Sequence, residues 1–446
     1  MAFKFFRRST QNTAEGAAHT AILDAWPDTQ AEISLADLAL QGTSGYVTYT
    51  WLLDPKKHII GYRMGWRPAG NQPPGSAGEQ LQALVSTIAE SFVHRQHGWC
   101  MGKAALLFDV TPDTLSLAQW QGIPAQNVVL CWQREHLVDP NQLPVLQSLR
   151  EEGFGIMLCG ASEAPEDMAV RELVTHFDVG AGDPLLMATG RSLSRRPAHP
   201  IATRMDHWPG FDACAARRVP VLVSPSQPNP EPKGPRPPLK PESVLMVRLL
   251  QMLQRNEDVR EIEAALKHDA ALTYRLLRHI NSPAIGVGVE IESLRHAVSM
   301  LGYSRLFRWL SMLLATSDAK SAPPFLMKKA IMRGRFVELL GQALLGPRHS
   351  DNLFLVGMFS VIDQVLGIPM TELLEKVQLA EPVQMAILER TGVYGPLLAL
   401  ALTCESDASE ADLLAGQLFM SASQVNTAHM EAITWSQEVS RSDAIY

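Results

Sequence analysis

Short apolar runs set the rhythm of the first half of the chain. YVTYTWLL (Tyr46 to Leu53), AALLFDV (Ala104 to Val110), NVVLCW (Asn127 to Trp132), GIMLCG (Gly155 to Gly160) and VPVLVS (Val219 to Ser224) have strand length and continuous apolarity. That pattern is expected where both faces of a sheet are covered. Gly78 to Gln96 and Asn141 to Glu152 lie between them with helical spacing. The alternation predicts an α/β layout, a parallel sheet or a barrel.

A break follows. Ser224 to Ser243 holds eight prolines in twenty residues, a composition that fixes φ, removes amide donors and favours extended geometry over a packed element. Beyond it the period changes to that of an α-helix: Val247, Leu250 and Leu253, then Leu266, then Leu272, Leu276, Leu277 and Ile280 mark successive apolar faces. Ser293 and Gly302 bracket SLRHAVSML as cap and stop, and Pro396 suits the first turn of a later helix. The predicted organisation is a flexible N-terminal segment (1–40), an α/β domain (41–223), a linker (224–242) and an all-helical domain (243–446).

Composition narrows the function classes. With 39 basic and 46 acidic side chains the formal charge is −7, which gives no whole-chain case for nucleic acid or an anionic membrane. Five separated cysteines, none in a CxxC pair, predict reduced thiols and a cytoplasmic setting rather than a disulfide scaffold or zinc module. The opening MAFKFFRRST lacks the apolar core of a signal peptide, and no membrane-spanning run is expected. Inside the helical half charge is uneven: residues 236–346 are net +6 and residues 347–446 net −9. Such polarity suits a protein partner or a second copy of the domain, and a solvated surface with no specific partner accounts for it equally well.

The helical half is similar to the HDOD family in DAALTYRLLRHINSPAIG (Asp269 to Gly286), IESLRHAVSMLGYSRLFRWL (Ile291 to Leu310) and LFLVGMFSVIDQVLG (Leu353 to Gly367). HDOD domains resemble catalytically altered HD and HD-GYP phosphohydrolases, which implies an all-α signalling module. An α/β domain ahead of it resembles the EAL-HDOD signalling proteins, whose first half is related to the barrel that cleaves cyclic di-GMP. WLLDPKKHIIGYRMGWRP (Trp51 to Pro68) reads like the opening of that barrel. The fold class expected is therefore α/β plus all-α: a degenerate EAL-like (β/α) barrel followed by an HDOD domain.

Departures from the family pattern decide the expected chemistry. A two-metal phosphodiesterase needs carboxylates converging at the C-terminal ends of barrel strands to hold cations and activate water. On the resemblance, Arg63 replaces the glutamate of the signature, Asp109 stands at the asparagine, Cys159 and Gly160 at the paired aspartates, Asp178 at the lysine and Ser224 at the late glutamate. Arg67 alone is kept, in the family a phosphate contact. A guanidinium about 4 Å from a cation is opposed by roughly 4 kcal/mol per unit charge at an effective dielectric of 20. At the His-Asp dyad of HD hydrolases stand Ser360 and Val361. The adjacent pair His268-Asp269 reads as a helix end followed by an N-cap.

Other signals are weaker. His94 and His97 beside Cys100 lack the glutamate of HExxH, and no Walker, GxSxG or GxGxxG motif occurs. In RLFRWLSMLL the helical spacing of Leu306, Trp309, Leu310 and Leu313 predicts a packed face rather than base stacking. Arg305, Arg308, Lys328, Lys329, Arg333 and Arg335 form the expected surface patch for an acidic partner. The resulting expectation is a non-catalytic bacterial signalling regulator acting through protein partners in cyclic di-GMP-linked control of motility or biofilm, with no metal or cofactor. A cyclic di-GMP receptor and a metal-dependent phosphodiesterase are the alternatives.

Overall fold

The computed structural model describes residues 44–446 apart from 71–74, 95–97, 115–119, 121–122, 134–135, 137–141, 161–171, 181–198, 205–206, 228–240, 267–271, 273–292, 318–321, 378, 407–409 and 442–446. The His268-Asp269 pair, His97 and most of the proline-rich segment lie outside these residues.

Ten strands are described: β1 (Gly45–Leu53), β2 (Ile59–Pro68), β3 (Val93–His94), β4 (Gly98–Trp99), β5 (Ala105–Val110), β6 (Val128–Gln133), β7 (Gly155–Cys159), β8 (His176–Gly180), β9 (His199–Arg204) and β10 (Val221–Val223). Eight of them close a barrel in the order β1-β10-β9-β8-β7-β6-β5-β2. β1 runs antiparallel to both neighbours and the other pairings are parallel. Helices α1 (Ala77–Phe92), α2 (Leu143–Glu152) and α3 (Trp208–Ala216) connect strands. The helix expected to reach Gln96 stops at Phe92, and His94 enters the short β3-β4 pair instead.

Alternation along the strands sorts side chains between two cores. Leu52, Leu107, Val129, Cys131, Met157, Cys159, Ile201 and Leu222 fill the barrel interior. Their neighbours, including Trp51, Phe108, Leu130, Trp132 and Leu158, face outward into a core that continues into the helical half.

That half comprises α4 (Pro241–Gln254), α5 (Val259–Leu266), α6 (Leu294–Ser317), α7 (Pro324–Leu345), α8 (Ser350–Leu366), α9 (Met370–Val377), α10 (Glu381–Glu389), α11 (Gly395–Glu405), α12 (Ala411–Gln417) and α13 (Ala422–Arg441). Ser293 Oγ accepts from His296 N at 3.2 Å, as a cap should, and Gly302 breaks α6 at φ 76°. Pro396 sits in the first turn of α11.

Thr43–Tyr446 form one compact unit because the outer face of β1 and β2 is covered by helices. Trp51 packs on Phe325 with centroids 5.6 Å apart, Phe325 stacks on Trp208, and Tyr49 meets His429 edge-on at 5.2 Å. β10 pairs with β1 only at Trp51 to Leu53, so its three residues do not reach Gly45 and Val47 on that edge. Asn426 of α13 serves that stretch: its Oδ1 accepts from Val47 N at 2.9 Å and its Nδ2 donates to Gly45 O at 2.8 Å. One side-chain amide thus does what a further strand residue would do.

Candidate functional site

Parallel strands bring their C-terminal ends to one mouth, and the inward positions there carry the residues singled out from sequence. Arg63 on β2 and Asp109 on the neighbouring strand β5 are 46 residues apart in sequence but meet directly. Arg63 Nη2 donates to Asp109 Oδ1 at 2.6 Å and Nε to Oδ2 at 3.2 Å. Burial opposes the guanidinium charge, yet Asp109 overrides it and holds Arg63 more firmly protonated than a free arginine. A fork-to-carboxylate pair of this kind satisfies both groups with each other.

Asp178 is buried on β8 and equally committed. Its Oδ1 accepts from Thr203 Oγ1 and Thr203 N, and its Oδ2 accepts from Gly160 N at 3.4 Å. The carboxylate ties β8 to β9 and to the turn after β7, where Gly160 holds φ 72°. Ser224, just past β10, shares a 2.7 Å hydroxyl contact with Ser226 in an exposed turn. Arg67 stands opposite Tyr46 at the far end of β2, partly exposed and apart from the Arg63-Asp109 pair in register.

In the barrel interior, Cys131 of β6 lies 3.9 Å from Met157 Sδ of β7, and Cys159 of β7 belongs to the same buried cluster. Interaction between the two thiols, aided by Arg63, lowers Cys159 against burial and the nearby Asp109 and Asp178, and the same interaction together with burial raises Cys131.

The helical half gathers a second set of charges. Ser360 of α8 donates to Gly357 O at 2.6 Å and accepts from Arg333 Nη1 at 2.8 Å, while Val361 is fully buried. Arg333 of α7 forms a two-pronged pair with Glu405 at the end of α11, at 2.7 and 2.6 Å. Burial would raise the Glu405 carboxyl, but Arg333 holds it below its ordinary value. His429 lies buried beside them, stacked on Phe336 at 4.3 Å, and burial pushes it down to about 4. Lys329 donates to Pro225 O at 2.9 Å, just past the barrel's last strand, and burial pushes it down to about 8.

These contacts correct the expected basic patch. Lys329 and Arg333 are 6% and 5% exposed, interior rather than surface. Arg308 and Arg335 both pair with the buried Glu338, Arg335 reaching Glu431 as well, and Arg308 lies over the Phe354 ring. Lys328 is partly exposed, and the side chain of Arg305 lies outside the described residues. The helical spacing of 329 and 333 shows one face, but their partners, Pro225 and Glu405 at 104 and 72 positions away, leave no local trace in the sequence. Glu405, Asn426 and His429 were missed for the same reason. Trp309, Leu306, Leu310 and Leu313 are buried, as their spacing predicts.

Among the described residues no group of three or more His, Cys, Asp or Glu side chains is arranged to hold a metal ion. No helix among them is long and apolar enough to cross a membrane. An open cleft of about 430 Å³ lies in the helical half, lined by Arg255, Asn256, Tyr303, Phe307, Asp351 and Asn352.

Residues 238–384 match the model of the HDOD domain. The chain is similar to the cyclic di-GMP phosphodiesterase CdgJ of Vibrio cholerae, with 31% identity over 205 residues that cover 46% of this chain and 48% of CdgJ. It is also similar to the uncharacterized protein YuxH of Bacillus subtilis, 25% identical over 36% of this chain and 39% of YuxH. The chain thus spans about half or less of the curated relatives it matches. Among solved structures, the Bacillus subtilis YkuI protein, with an EAL domain and in complex with cyclic di-GMP and calcium, aligns at 11% identity and a TM-score of 0.32, covering 60% of this chain and 75% of YkuI.

Proposed function

We propose that this chain, which carries an HDOD domain behind an eight-stranded barrel, is a non-catalytic signalling regulator that works by binding other proteins. One observation carries the reading. Where the resemblance calls for a metal-holding glutamate, Arg63 projects a permanent cation, and the nearest acid, Asp109, is spent neutralising it. A divalent ion entering there would have to break that pair and then sit beside the released guanidinium, which opposes it by several kcal/mol. Asp178 is likewise consumed by three backbone and hydroxyl donors.

The helical half supports the same reading. At the dyad position a hydroxyl and an isopropyl group replace imidazole and carboxylate, and the surrounding charge is a closed Arg333-Glu405-Ser360 network. Such a network organises packing and offers no open ligand position. Control of motility or biofilm is the setting that the resemblance to EAL-HDOD proteins implies.

Affinity capture with the full chain as bait, from cells that express it natively, tests the reading. A partner retained in near-stoichiometric amount supports it, and a bait that retains nothing specific counts against it. Calorimetry separates the receptor alternative: with Arg63 committed to Asp109, micromolar cyclic di-GMP should give no binding heat, and a saturable heat lost in Arg67→Ala would favour a receptor.

A further inference from the structure

We infer that Cys131, Met157 and Cys159 form a three-sulfur site inside the barrel for a soft monovalent cation, copper(I). The three side chains come from adjacent strands β6 and β7 and point inward, where strand alternation places residues 131, 157 and 159 on one face. Cys131 Sγ stands 3.9 Å from Met157 Sδ, and Cys159 shares the inward face of β7 with Met157, two residues along the strand. Sulfurs bound at about 2.3 Å to a shared metal in a trigonal arrangement are about 4 Å apart, a spacing that Cys131 and Met157 already have.

Ligand chemistry selects the ion. Thiolate and thioether together favour copper(I), whereas zinc prefers four nitrogen, oxygen or thiolate donors in a tetrahedron. Here the other residues of the inner core are the aliphatic Leu52, Leu107, Val129, Ile201 and Leu222, which supply no fourth donor. Binding would release one proton from each cysteine, leaving two thiolates, a neutral thioether and a monovalent ion with net charge −1. Arg63 favours the Cys159 thiolate, while Asp109 and Asp178 oppose it. No electron is transferred when the metal arrives as copper(I). Met157, Cys131 and Cys159 are 0%, 2% and 4% exposed, so loading requires a transient opening of the barrel at the mouth, where the Arg63 and Asp109 side chains are 25% and 57% exposed.

The site is independent of the proposed loss of hydrolysis, because it uses hard-metal ligands nowhere. Its test is anaerobic titration of the reduced full chain with copper(I) against a chromophoric copper(I) chelator. One tightly held ion per chain is expected. Cys131→Ser and Cys159→Ser should each weaken it by more than the roughly 10–100-fold that outer-shell changes cost. Met157→Leu, close in volume, should weaken it measurably while keeping the circular dichroism of the parent, and Cys100→Ser with Cys214→Ser and Cys404→Ser should not. X-ray absorption of the loaded parent should show sulfur alone at about 2.3 Å, a readout that stands even if a cysteine variant fails to fold. Absence of retained copper(I), retention unchanged in Cys131→Ser and Cys159→Ser, or tighter binding of zinc than of copper(I) would each overturn the assignment.

Discussion

Replacing Glu405 by glutamine removes one charge from the most deeply buried ion pair described. Arg333 and Glu405 side chains are 5% and 4% exposed and meet through two hydrogen bonds of 2.7 and 2.6 Å. The variant keeps the shape and one acceptor, and Ser360 Oγ still accepts from Arg333 Nη1, but the guanidinium loses its counter-charge. Breaking such a pair from one side costs about 3–5 kcal/mol, and the retained hydrogen bonds place Glu405→Gln near the lower figure, about 3 kcal/mol. Urea unfolding followed by tryptophan fluorescence and circular dichroism should show the midpoint fall with an unchanged slope. The double variant Arg333→Met, Glu405→Leu should recover most of the loss, because no unpaired charge remains. The parent should also lose stability as pH falls below about 4.5, since the unfolded carboxyl then binds a proton that folded Glu405 binds only at lower pH. Glu405→Gln should lack that component. A single-variant cost below about 1 kcal/mol, or a double variant as unstable as the sum of the singles, would refute the reasoning.

Three further outcomes follow from the same structure. Asn426→Ala should strand Val47 N–H and Gly45 C=O at the barrel edge and cost about 2–4 kcal/mol in urea unfolding, whereas Asn426→Asp should restore only the bond to Val47. His429 stays neutral in the fold down to about 4 against an ordinary 6.5, so the unfolded state takes up the proton first and stability falls as pH drops through that window; His429→Leu should flatten the acid limb by roughly 2–4 kcal/mol. A methyl at Gly357 would meet Arg333 O at 2.4 Å and Gly334 Cα at 2.8 Å, so Gly357→Ala should force α7 and α8 apart and cost at least about 1–3 kcal/mol in the same unfolding assay.

Sequence patterning reached the strands whose apolarity is continuous. β5, β6 and β7 carry Leu, Val and Ile on both faces because one face fills the barrel and the other lies under helices. β8 and β9, HFDVG and HPIATR, escaped because histidine, aspartate and proline interrupt the run, and Asp178 is tolerated there only through its bonds to Thr203 and Gly160. β2 was recognisable by its resemblance rather than its pattern, since Arg63 sits in mid-strand and is neutralised 46 residues away. Local periodicity likewise located α6 and the turn at Gly302 but placed Lys329 and Arg333 on a surface. Their burial depends on the segment just past β10 and on α11, elements far off in the chain, and no windowed reading carries that information. The join between the halves was invisible for a related reason: Trp51, Tyr49 and Tyr62 read as barrel residues, and only the fold reveals that Phe325, His429 and Gln437 cover them.

The barrel mouth, closed by Arg63 and Asp109, is proposed not to hydrolyse cyclic di-GMP. Incubating the full chain with an equimolar amount of the dinucleotide in Mg²⁺ or Mn²⁺, and separating products chromatographically, tests it directly. The predicted result is no linear dinucleotide above a metal-only control. Metal-dependent cleavage that disappears in a folded Asp109→Ala variant would contradict it.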